Sequence, residues 1–255
     1  MQPVSRQKTN YGAGTRAQGA AVDAGLRAHM LKVYNYMALA LALTGIIAWY
    51  TFKASFVMGE TGEILGVTQL GATLFGSPIA YVLMFAPLAF VLVMSFGVYK
   101  LSLPVLQVLF WTFASVLGVS LATIFATYQG ADIARVFFIS AVLFGSVSLW
   151  GYTTKRDISS WGGYLIMGVW GLFIALIVNT FFFQSSQFDY LMSFVGVALF
   201  TGLTAWDNQM IKNLYLGSRE NEDSVAKLAI MGALHLYLDF INIFLFLLRI
   251  MGGRR

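Results

Sequence analysis

Seven stretches of about 20 apolar residues run through this chain, each long enough to cross roughly 30 Å of hydrocarbon as a helix. They fall at about 33–52, 78–99, 104–127, 134–154, 161–183, 190–211 and 228–249. The connections leave no room for a soluble domain, since the longest, 53–77, is glycine-rich at Gly59, Gly62, Gly66, Gly71 and Gly76. With 58% of its 255 residues hydrophobic and 11% charged, the chain lies well outside the balance of an ordinary soluble domain. Outer-membrane strands would alternate apolar and polar residues, whereas "LALALTGIIAW" and "GVWGLFIALIV" are apolar on every side. The expected fold is all-α: a polytopic membrane protein of seven transmembrane helices over 29–255, preceded by a disordered cytoplasmic tail over 1–28.

A net charge of +5 raises the question of nucleic acid, and the placement of the basic residues answers it with topology. Eleven of them lie before span one or in the connections after spans two, four and six: Arg6, Lys8, Arg16, Arg27, Lys32, Lys100, Lys155, Arg156, Lys212, Arg219 and Lys227. Lys53, Arg135, Arg249, Arg254 and Arg255 lie on the other side. The positive-inside rule then puts the N-terminus in the cytoplasm. Seven full crossings would leave the "GGRR" tail outside, against the same rule, so a seventh span that dips in and returns is the alternative; the other eleven charges favour seven crossings. Residues 1–28 have no apolar core and are not a secretory signal peptide; a mitochondrial transit peptide is the weaker reading beside a tail. The absence of cysteine excludes disulfides and thiolate metal sites.

Inside the spans, small residues recur at Ala114, Gly118 and Ala122, and at Ala198 and Gly202, a spacing that lets helix backbones approach closely. Two acids need more explanation: Asp207 in "FTGLTAWDNQMI" and Asp239 in "LHLYLDFINIFLFLLRI". A carboxylate at such depth costs roughly 3 kcal/mol or more, so each needs a partner. Spans six and seven are antiparallel. With the turn near 217–223, Asp207 sits about 15 Å before it and Asp239 about 24 Å after it. Contact is permitted if helix seven begins beyond the membrane. His235, Asp239, Asn242, Phe246 and Arg249 share one face of span seven, which suggests a helix enclosed by the others. The alternative is a hydrogen-bonded network that only fixes packing. Two carboxylates in a poorly hydrated site cannot both ionise cheaply and would titrate as a coupled pair, a pH sensor whose exposed charge would attract a hard cation such as calcium.

Three stretches carry a resemblance: 123–162, which contains "TTKRDISSWG", then "GLTAWDNQMIKNL" (202–214) and "LHLYLDFINIFLFLLRIMG" (234–252). From about residue 30 to its end the chain resembles the Bax inhibitor-1, or transmembrane Bax inhibitor motif, family in its bacterial branch. The resemblance implies seven helices with the last at the centre of the other six, an inner-membrane location, and a calcium leak gated by a paired-aspartate pH sensor falling on Asp207 and Asp239. Some relatives place an arginine in the second span to latch the pair, but 78–99 here contains no charge; Arg135 or Arg249 would have to substitute.

The leading expectation is thus a pH-sensitive calcium channel. Its sensing and transient calcium contacts are Asp207 and Asp239, with His235, Asn242 and Arg249 in support, and it has no cofactor and no enzymatic activity. The alternative is a regulator that binds other membrane proteins, such as a quality-control protease. An intramembrane aspartyl protease would also use two acids, but "TAWD" and "LYLD" lack the motifs of that class. A Schiff-base lysine is missing from span seven, and His29 and His235, the two histidines, do not make a zinc site. Besides the bilayer and calcium, other membrane proteins are the expected partners, and nucleic acid is not.

Overall fold

The computed structural model describes residues 11–60, 62–218 and 222–253. Eight helices and one small hairpin follow in order: α1 (Tyr11–Ser55), β1 (Phe56–Met58), β2 (Ile64–Val67), α2 (Gln69–Gly76), α3 (Ile79–Gly97), α4 (Leu103–Thr127), α5 (Gly130–Thr153), α6 (Trp161–Val178), α7 (Ser186–Gly217) and α8 (Glu222–Met251). A π-helical turn, Asn179–Phe183, extends α6. Seven of the helices are long and apolar enough to cross a membrane; α2, with eight residues, is not one of them. The fold is all-α and polytopic.

One expectation needs correction. The tail placed at 1–28 is helical from Tyr11 onward, as α1 begins there, in keeping with the high helix propensity of its alanines; residues 1–10 lie outside the described residues, as do Arg219, Arg254 and Arg255. The connection over 53–77 holds a hairpin and a short helix. Strands β1 and β2 pair antiparallel, Phe56 opposite Val67, and Gly62 takes the left-handed backbone (φ 85°) that glycine adopts without steric cost. Helix α2 starts at a cap, Thr68 Oγ1 accepting from Gly71 N at 3.2 Å.

Helix α8 is one unbroken rod, and its length of about 45 Å rules out a segment that dips in and returns. Its far end meets the α4–α5 connection, where Gly253 N donates to Asp132 Oδ2 at 2.9 Å and Gln129 N to the Gly253 carbonyl at 3.4 Å. At the opposite face His29 of α1 stacks on Tyr215 of α7. His29 and Gly253 therefore lie at opposite faces of the bundle.

Burial is uneven among the spans. In α8, 72% of the apolar window is buried inside the protein, against 6% in α3 and 11% in α6. Its principal neighbours are α1, α4, α5 and α7, whereas α3 leans on α4 and α6 on α7. Inside α3, Pro87 cannot supply the N–H that the Leu83 carbonyl would otherwise receive. Ser120 of α4 takes over that role, donating its hydroxyl to the Leu83 carbonyl at 2.7 Å.

The small-residue stripe on α4 packs as expected: Ala114, Gly118 and Ala122 are buried, against α1, whose Thr44 bonds both the Ala114 carbonyl (2.9 Å) and the Tyr237 hydroxyl of α8 (2.7 Å). On α7 only Gly202 packs, against Leu165 of α6; Ala198 is exposed. A Cβ at Gly118 would sit 2.8 Å from the Thr44 carbonyl oxygen, and one at Gly202 would meet only the mobile tip of Leu165. Gly118→Ala should therefore forfeit the usual helix gain of alanine and cost about 1–3 kcal/mol, while Gly202→Ala should stay near wild type; thermal unfolding of both in detergent checks the difference.

Candidate functional site

Helices α7 and α8 bring the two acids together. Asp207 and Asp239 are 5% and 3% exposed, their carboxyl groups lie within hydrogen-bonding reach of each other, and the Thr204 hydroxyl, which donates to the Phe200 carbonyl at 2.8 Å, lies beside Asp239. Asp239 Oδ2 is buried with no hydrogen-bond partner. His235, one turn before Asp239, places Nδ1 3.7 Å from Asp207 Oδ1. The pair is thus flanked by one group able to take a positive charge.

Four successive residues of α7, "WDNQ" at 206–209, face four ways because each helical step turns about 100°. Trp206 Nε1 donates to the Ser159 carbonyl at 3.2 Å. Asp207 faces α8. Asn208 Oδ1 accepts the Tyr34 hydroxyl from α1, while its Nδ2 donates to the Thr204 carbonyl (2.7 Å) and to Ser148 Oγ on α5 (3.2 Å). Gln209 Oε1 accepts from Ile158 N (2.9 Å) and its Nε2 donates to the Arg156 carbonyl (2.9 Å). The "TKRD" turn between α5 and α6 is thereby fastened to the same helix turn that carries Asp207. Within that loop the Ser159 hydroxyl and backbone N–H hold the exposed Asp157 carboxyl below its ordinary range.

The polar stripe of α8 divides in two. His235, Asp239 and Asn242 line a cavity of about 370 Å³ together with Asp207, Trp206 and apolar residues of α3 and α6. Asn242 also returns its amide to the Leu238 carbonyl at 2.8 Å. Phe246 packs against Phe200 and over Gly196, where any Cβ would strike its ring. Beyond it Arg249, its guanidinium 5.8 Å from the Phe246 ring, lines a second cavity of about 490 Å³ with Asp189, Tyr128, Ser186 and Tyr190. There Asp189 Oδ1 accepts from Asn179 Nδ2 at 2.7 Å.

Neither arginine proposed as a latch reaches the acids. Arg135 pairs with Asp132 at 2.7 Å and reaches toward the Met251 carbonyl. Arg249 is ten residues beyond Asp239, roughly 15 Å along the helix. Among the described residues no three His, Asp or Glu side chains cluster as a resident metal site would need. Sequence reasoning missed Tyr34, Ser148, Thr204, Asn208 and Gln209; the available signal was the run of three polar residues, Asp207 to Gln209, inside an apolar span.

Residues 26–255 match the family described as inhibitor of apoptosis-promoting Bax1. An uncharacterised protein of Rickettsia prowazekii is 43% identical over 244 residues, 94% of this chain and 96% of its own length. The inner membrane protein YbhL of Escherichia coli is 41% identical over 234 residues, 91% of this chain and 94% of its own. An uncharacterised protein of Caulobacter vibrioides is 39% identical over 235 residues, 92% of each. The chain is an integral, multi-pass membrane protein and belongs to the Bax inhibitor family.

Proposed function

We propose that this protein is a pH-sensitive calcium leak of the bacterial inner membrane, controlled by protonation of Asp207 and Asp239. The observation that carries this reading is the contact of the two carboxyl groups inside the membrane, at the inner end of a cavity. Two like charges 4 Å apart repel by about 4 kcal/mol even at an effective dielectric of 20, so the pair holds one proton between its members. Removing that proton leaves two hard oxygen ligands, a fair transient contact for calcium, though far short of the six to eight oxygens of a resident site. The path runs along α8 from the acid cavity, past Phe246, to the cavity of Asp189 and Arg249. Phe246 is the constriction between them.

The N-terminal end faces the cytoplasm in this reading. Arg27, Lys32, Lys100, Lys155, Arg156, Lys212 and Lys227 belong to that face, and Lys53, Arg135 and Arg249 to the other. A second reading, a regulator that binds other membrane proteins, draws support from the helical extension of α1 ahead of its membrane span, Tyr11 to Asp23. Deleting residues 2–22 separates the two: a leak survives, and partner binding through the extension does not.

In proteoliposomes, the wild type should pass Ca²⁺ at a rate that varies with pH, and Asp207→Asn and Asp239→Asn should each abolish that variation; an unchanged pH profile in both variants refutes the gate. Phe246→Ala should raise the flux severalfold at fixed pH, read by the same dye assay. For orientation, the cysteine-free chain allows single labels: in intact spheroplasts an impermeant maleimide should modify Glu60→Cys and leave Ser218→Cys untouched until the membrane is opened.

A further inference from the structure

Helices α3 and α6 are the least buried spans and do not pack closely on each other. The 370 Å³ cavity opens between them. At its mouth stand Leu88, Ile166 and Phe173, exposed by 56%, 45% and 41%. Leu88 is near the midpoint of α3 and Phe173 near that of α6, so the mouth faces acyl chains and not water. Pro87, at the same level, is where α3 loses an internal hydrogen bond and is held to α4 through Ser120. The cavity is therefore a lateral slot, apolar at the entrance and acidic at the back, and its volume falls within the roughly 300–1,000 Å³ of small-ligand sites.

The back wall specifies what belongs there. Asp239 lines the slot, and its Oδ2 is buried without a hydrogen-bond partner. A carboxyl pair sharing one proton carries a single negative charge. Nothing basic on the lining side chains offsets it except His235, since Arg135 is paired elsewhere and α3 carries no charge. His235 lies against Asp207 and leaves Asp239 Oδ2 without a partner; a buried charge short of partners is costly, and anionic or phosphate headgroups would add to the cost. An ammonium group offers three donors and one positive charge, and a single alkyl chain behind it fits the apolar entrance.

We propose that the α3–α6 slot binds a single-chain amphiphile with an ammonium head, which enters sideways from the bilayer, sets its nitrogen against the Asp207–Asp239 pair, and lays its chain along Pro87, Val91, Val169 and Phe173. The inference rests on the reading of the two acids as a pair that shares one proton. It does not depend on whether calcium passes.

Trp206 lines the slot beside Asp207 and reports on occupancy. The full-length protein in neutral phosphatidylcholine nanodiscs is titrated with chain-brominated dodecylamine and with the matching brominated alcohol. Fluorescence quenching is compared with that of Trp206→Phe, which removes the reporter from among the six tryptophans. The amine should quench the Trp206 component saturably, at a midpoint at least about tenfold below the alcohol, the selectivity a charge-assisted hydrogen bond confers. In the Asp207→Asn/Asp239→Asn protein the two midpoints should converge. Val91→Phe, which fills the slot and leaves the acids in place, should weaken both probes. Equal midpoints in the wild type mean an apolar filler only and overturn the proposal; so does amine quenching that is the same in Trp206→Phe. A protein that binds the amine selectively but shows pH-independent calcium flux refutes the leak alone, and one with a pH-gated flux and no amine selectivity refutes this inference alone.

Discussion

Everything in this bundle is arranged around the cost of holding two carboxyl groups out of water. An ionised acid in hydrocarbon has few ways to lower its energy: a proton, an opposite charge, hydrogen-bond donors, or water in a cavity. Here α7 and α8 supply each acid with the other, and Asp207 with His235, and the least buried spans leave an opening beside them. Helix α8 can carry His235, Asp239 and Asn242 because most of its surface is covered by α1, α4, α5 and α7. Asp239 is thereby buried, and His235 and Asn242 beside it line the cavity.

The surrounding hydrogen bonds keep this arrangement from relaxing. Asn208 ties α7 to α1 and α5, Gln209 ties it to the loop before α6, and Thr44 ties α1 to α4 and α8. In a membrane such bonds each add little, about 0.6 kcal/mol on average, so their effect lies in orientation more than in stability. One turn of α7 fixes the rotation of the helix about its own axis, and that rotation aims Asp207 at Asp239. The rigid part of the site is its α7 side.

Much of this was legible in the sequence. Seven apolar runs gave seven spans, and the cost of burying Asp207 and Asp239 was enough to suggest that they meet. The division of the α8 stripe was not, because Arg249 shares a helical face with Asp239, yet the two line different cavities, with Phe246 packed on Gly196 of α7 at a level between them. Helical periodicity gives direction around an axis and says nothing of what stands between two residues along it. The hairpin and short helix over 56–76 were not legible either: Gly62 serves a hairpin turn and Gly71 a close approach to the Ser55 carbonyl, roles that composition alone does not distinguish. The helical start of α1 was hidden too, since polar, alanine-rich sequence fits both a tail and a helix.

The fastening of the last residues to the α4–α5 connection, through Gly253, Asp132 and Gln129, constrains how the enclosed rod can travel. A helix held at one extremity does not slide like a piston; it swings. From Gly253 to Asp239 the lever is roughly 20 Å, so a tilt of about 5° carries the carboxyl sideways by about 2 Å. Such a displacement is enough to separate two oxygens that share a hydrogen, while the anchored extremity scarcely shifts.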